Sequence, residues 1–156
     1  ANLYVPSGAV CGLDGIQAYA GREVDSITLT THKPPAGLKG AKYLDDHGID
    51  LDAIDGPTTV FEGPPAEAIR HFPKNVNVST ALALASCMDG EIKVKLVADP
   101  GTKSNVHEVC LESALGRICI TVENKPSPDN PKTSALAYLS AIATLKKIIS
   151  RVKIGT

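Results

Sequence analysis

The chain has 156 residues, 43% of them hydrophobic, which is enough to build one globular domain around a real core. Its formal net charge of −1 leaves no basic footprint for nucleic acid and no polybasic surface for anionic lipid. No stretch approaches the roughly 20 apolar residues of a membrane-spanning helix, and the start, Ala1-Asn2-Leu3-Tyr4-Val5-Pro6, lacks the pattern of a signal peptide.

Taken in chain order, Ser7 can cap a first helix running to Ala20, with Gly21 ending it. Asp25 to Thr31 alternates and is rich in β-branched residues, so it predicts a strand that Lys33-Pro34-Pro35 stops. Gly37 to Gly56 is polar and acidic, with a short helix around Leu51 to Ile54. Its aspartates, Asp45, Asp46, Asp50, Asp52 and Asp55, fit no calcium loop and read as a solvated segment.

Thr58 to Glu62 predicts a second strand, and Gly63-Pro64-Pro65 opens a helix that Pro73 closes near His71. Asn75 or Asn77 caps a third helix over Val78 to Met88. Ile92 to Ala98, His107 to Leu111 and Arg117 to Val122 predict three strands joined by turns at Asp99-Pro100-Gly101 and Ala114-Leu115-Gly116, an antiparallel meander. Last comes a helix over about 131–153. Asn130 caps it, Pro131 sits in its first turn, and Leu136, Leu139, Ile142, Leu145 and Ile149 form an apolar stripe.

The sum is an α/β domain of α+β type, with a mostly antiparallel mixed sheet, helices on one face and the other face free for a partner, most simply a second copy. The four cysteines, Cys11, Cys87, Cys110 and Cys119, sit among aliphatic residues with no zinc spacing. They predict buried, reduced thiols in a cytoplasmic protein and no metal. No G-x-G-x-x-G loop is present, and Gly8, Gly12 and Gly15 have the wrong spacing to hold a dinucleotide pyrophosphate that way.

Four segments carry polar groups that folding alone does not require: Pro6-Ser7-Gly8-Ala9, Pro73 to Val78, Asn105-Val106-His107-Glu108, and Pro126 to Ser134. Singly, each has a structural explanation, since Ser7, Asn77 and Asn130 can be helix caps and His107 a strand residue. Together, and in this order, they resemble the L-aspartate dehydrogenase family. The resemblance spans almost the whole chain: Pro6 to Gly15, Thr28 to Thr31 with Lys33 to Pro35, Phe61 to Pro64, Phe72 to Val78, Ala98 to Pro100, Asn105 to Glu108, Val122 to Asn124, and Pro126 to Leu145.

The resemblance implies the C-terminal, substrate-side domain of a two-domain NAD(P)-dependent dehydrogenase. That enzyme would oxidise L-aspartate to iminoaspartate, and so to oxaloacetate and ammonia, feeding NAD biosynthesis. It implies His107 as the catalytic residue, and Ala9, Asn77 and the nearby Asn75 at the nicotinamide end of NAD or NADP. Ser7, Gly8, Asn130, Lys132 and Thr133 would line the substrate pocket. An arginine commonly precedes the Asn-Val-His-Glu motif, whereas Ser104 stands here, which makes Lys103 a stand-in for binding a substrate carboxylate. Cys11-Gly12 replaces an expected Gly-Gly, and His32 an expected arginine. The imidazole of His107 is expected to face a cavity with Asn75 and Asn77 at its wall.

Residues 1–156 thus read as one catalytic and oligomerisation domain, inactive alone, whose last helix packs on a Rossmann domain and whose sheet face forms a homodimer. Two other readings share this fold. One is a non-catalytic dimerisation module; the other is the substrate domain of a dihydrodipicolinate- or homoserine-type reductase.

Overall fold

The computed structural model describes residues 2–73, 77–86, 92–125 and 134–155. Five strands form one sheet: β1 (Ser26–Lys33), β2 (Thr58–Gly63), β3 (Ile92–Ala98), β4 (Asn105–Ser113) and β5 (Gly116–Asn124). Among the described residues the helices are α1 (Leu13–Gln17), α2 (Lys42–Asp46), α3 (Pro65–His71), α4 (Asn77–Ser86) and α5 (Ala135–Ile149), with 3-10 turns at Pro35–Gly37 and Leu51–Ala53.

The strands lie in the order β2-β3-β1-β4-β5. β1 and β3 are parallel, and every other pairing is antiparallel. The sheet is therefore mixed and mostly antiparallel, as its residues predict. The meander is corrected: only β4 and β5 form a hairpin, because β1 inserts between β3 and β4.

Alternation decides what each face carries. Ile27, Leu29 and Thr31 of β1, Val94 and Leu96 of β3, and Val109 and Leu111 of β4 are buried on one face. Ile16, Ala68, Phe72, Val78 and Leu82 of the helical layer complete that core. The opposite face carries Thr28, Thr30 and His32 of β1 beside Lys93, Lys95, Glu108, Cys110 and Cys119. Glu62 of β2 bridges to both Lys93 and Lys95 there, at 3.2 Å each.

Several expectations change. Gly12 adopts φ +70 ahead of α1, and Gly8 φ +69, so the first helix shrinks to five residues instead of running from Ser7 to Ala20. Gly12 lies so close to β5 that an added Cβ would collide with the Ile120 side chain. The acidic stretch is not wholly solvated: α2 forms within it, and Leu38, Leu44 and Leu51 bury into the core.

α5 is capped by Ser134, whose hydroxyl accepts from the Ala137 N–H, and it ends at Ile149, short of 153 and of Gly155. Asn130, the predicted cap, lies outside the described residues. Cys110 and Cys119 face each other across the β4–β5 ladder with Cα atoms 4.3 Å apart and form a disulfide. The expectation of buried, reduced thiols therefore fails for this pair, and Cys11 is exposed. Cys87 lies outside the described residues.

Candidate active site

His107 is the third residue of β4, and alternation turns it to the same face as Val109 and Leu111. Those two sit in the apolar middle of the sheet, whereas His107 sits at its end, where the neighbours become polar. Its direct partner across the ladder is Thr31. Thr31 Oγ1 and His107 Nδ1 are 3.0 Å apart and both side chains are buried. A hydroxyl can donate or accept, so this contact suits either tautomer of the ring.

Lys33, two residues beyond Thr31, ends β1 on the same face. Burial lowers the affinity of its amine for a proton. Burial likewise pushes the His107 pKa down to about 4, and the positive charge of Lys33 pushes in the same direction. His107 is therefore neutral at physiological pH. Glu108 points to the other face, opposite Thr30, so it does not pair with His107.

The Pro6–Ala9 segment is tied to this end of the sheet. Asn124, the last residue of β5, pairs with Asn105 two positions before His107, which makes it a diagonal neighbour of the imidazole on the core face. It is 5% exposed, and its amide Nδ2 donates to the Ala9 carbonyl at 2.8 Å. One residue earlier, the Gly8 N–H donates to Ser140 Oγ of α5 at 3.1 Å. The ends of β1, β4 and β5 thus gather His107, Thr31, Lys33, Asn105 and Asn124 with Ala9.

Of the residues singled out from sequence, His107 and Ala9 belong to this cluster, and Gly8 adjoins it. Ser7, half-buried, lines a cavity of about 710 Å³ between the N-terminal segment, α1, α4 and the segment after α5. His107 is not part of that lining; its ring meets the Thr31 hydroxyl. Asn77 is exposed at the first residue of α4, and Lys103 is exposed in the turn before β4. Asn75, Asn130, Lys132 and Thr133 lie outside the described residues. Among the described residues, no group of three histidine, cysteine or acidic side chains could hold a metal ion, and no helix is long and apolar enough to cross a membrane.

Thr31, Lys33, Asn124 and Ser140 escaped the sequence reading. Thr31 and Lys33 stood in a strand recognised by its alternation, but only the register of β1 against β4 shows that they flank His107.

The domain is thus a mixed α/β sheet that carries a buried histidine at the end of β4. Residues 14–148 match the family model described as "Aspartate dehydrogenase, C-terminal". The chain belongs to that family.

It is 51% identical over 155 residues to L-aspartate dehydrogenase of Methanosarcina acetivorans, and 53% identical to that of Methanosarcina barkeri. Each comparison covers 99% of this chain and 57% of the relative. The crystal structure of aspartate dehydrogenase from Thermotoga maritima superposes with a TM-score of 0.77 at 32% identity, again covering 99% of this chain and 57% of that one. The chain therefore spans a little over half the length of the relatives it matches.

Proposed function

We propose that this chain supplies the substrate-side half of an NAD(P)-dependent L-aspartate dehydrogenase, converting L-aspartate to iminoaspartate and onward to oxaloacetate and ammonia. The observation that carries this is the neutral, buried imidazole held by Thr31 at the end of the sheet, in a chain about half identical to proteins of that name.

Oxidation of an amino acid at C2 requires the ammonium to lose a proton, C2 to lose a hydride and the carboxylates to be held still. A neutral imidazole can take that proton where an imidazolium cannot. Thr31 occupies Nδ1, so Nε2 is the nitrogen through which His107 acts.

The residues present fit the reacting end of a nicotinamide cofactor and not its phosphates. Ala9 offers backbone fixed by Asn124, and Asn75 and Asn77 are uncharged amides that can flank a carboxamide without a competing charge. When bound, the nicotinamide ring supplies the hydride acceptor. Ser7, Gly8, Asn130, Lys132 and Thr133 are assigned to the substrate pocket, and Lys103 to a substrate carboxylate.

α5 belongs to the interface with the nucleotide-binding half. None of its residues is buried, and Leu139, Leu145 and Ile149 are 50%, 66% and 85% exposed. A helix this apolar calls for a cover. The uncovered face of the sheet supports pairing of two copies, which sedimentation of the protein checks. A place in NAD biosynthesis and a cytoplasmic location accompany the dehydrogenase assignment.

The deciding experiment assays the full-length protein on aspartate, homoserine and dihydrodipicolinate with NAD and with NADP, and repeats the aspartate assay on His107→Ala. Aspartate should be the substrate, and the variant should lose turnover by about a hundredfold or more, the range for a missing acid–base group. Near-normal turnover removes His107 from the mechanism, and preference for another substrate overturns the assignment.

A further inference from the structure

We infer that Thr31 is a positioning residue for the reaction: its hydroxyl oxygen accepts the His107 Nδ1–H and so leaves the lone pair of Nε2 to act as the base. The inference rests on the dehydrogenase assignment and deepens it, because it fixes where the proton lies in a contact that suits either tautomer. Two residues stand directly opposite His107, Thr31 on β1 and Val122 on β5, and of these Thr31 carries the polar side chain. Its Oγ1 lies 3.0 Å from Nδ1.

The surroundings suit a hydroxyl that must keep its place. Thr31 is 2% exposed, and on its other side it pairs in register with the buried Leu96 of β3. Threonine is β-branched, so its side chain has few rotamers to choose from, and the strand decides which face it takes. Ile27 and Leu29, which precede it on that face, are buried and apolar. A hydrogen bond made in such low-dielectric surroundings counts for more than one made in water.

The chemistry sets the direction of the bond. As Nε2 takes a proton from the substrate ammonium, an N–H bond of the ammonium breaks, its electron pair stays on that nitrogen, and an Nε2–H bond forms. The ring is then an imidazolium with a donor on each nitrogen. Burial opposes that charge, so the Nδ1–H requires an acceptor already in place, and the Thr31 oxygen is there. A hydroxyl donating to Nδ1 would instead put the ring's own proton on Nε2, where it could accept none. Nε2 returns its proton to solvent once the product has left.

The test uses the full-length enzyme and the variants Thr31→Val and Thr31→Ser. Valine keeps the shape and removes the acceptor, so kcat on aspartate should fall about ten- to hundredfold, the size of a lost hydrogen bond to a charged group. The dissociation constant of succinate, a dicarboxylate with no amine to deprotonate, should stay unchanged by calorimetry. Thr31→Ser keeps the oxygen and should hold kcat to within a few fold. A threonine that merely packs would tolerate valine, so an unchanged kcat in Thr31→Val overturns the inference. NMR of the wild type carrying isotope-labelled histidine reads the tautomer directly, with the His107 signals identified by their loss in His107→Gln. A hydrogen on Nδ1 is expected; one on Nε2 overturns the inference even where valine unfolds the enzyme. Wild-type enzyme that turns over aspartate while Thr31→Val keeps its kcat sinks the Thr31 role alone. Wild-type enzyme inert toward aspartate sinks the dehydrogenase assignment and the inference with it.

Discussion

Acid should weaken this fold through one identifiable side chain. In the folded chain the His107 pKa lies at about 4, below its ordinary value of 6.5, because burial and the charge of Lys33 both disfavour the imidazolium. Between those two values the unfolded chain binds the proton and the folded chain does not, so stability falls as pH falls. The contribution is complete above pH 6.5 and is lost as pH drops toward 4. A shift of about 2.5 units corresponds to about 3 kcal/mol when the loss is complete, and about 2.5 kcal/mol of it is gone by pH 4.5. Such a loss is a large fraction of the 5–15 kcal/mol that typically holds a domain.

The assay is urea unfolding of the wild type and of His107→Gln at a series of pH values from 8 to about 4.5. Glutamine keeps a polar partner for Thr31 and cannot titrate. Every other side chain is common to the two proteins and cancels in the difference. The wild type should lose about 2.5 kcal/mol more than the variant between pH 7.5 and 4.5. Parallel stability curves would show that the ring is hydrated or freely protonated, refuting the burial from which the depressed pKa follows.

Two further outcomes follow from the packing around the site. Gly12→Ala should destabilise by about 1–3 kcal/mol, since alanine must take φ +70 and its Cβ meets Ile120; thermal unfolding checks this, and an unchanged melting temperature would mean that α1 does not approach β5. Asn124→Ala should cost about 1–3 kcal/mol, because it leaves the Ala9 carbonyl without its buried donor, and hydrogen exchange in residues 6–10 should accelerate.

Much of the fold is written locally. Alternation placed all five strands within a few residues, β3 to the residue, and prolines 34, 64 and 73 mark where strand and helix yield. The first helix was overestimated because a capping serine and apolar spacing say nothing of Gly8 and Gly12 turning left-handed. The missed disulfide has a similar cause: Cys110 and Cys119 are nine residues apart, with no spacing signature, and only the register of a two-residue hairpin places them opposite each other.

His107 was legible by motif, and its surroundings were not. Thr31 lies 76 residues away along the chain, and Asn124 lies 115 residues from the Ala9 that it holds. The sequence alone determined the five strands, most of the helices, the family, and the histidine on which the proposed chemistry turns. Tertiary structure alone decided that β1 lies between β3 and β4, that a threonine and a lysine flank the imidazole, and that the ring stays neutral. The physical reason is range: propensity and periodicity act over a few residues, whereas strand order, cross-strand register and desolvation exist only once distant segments have packed together.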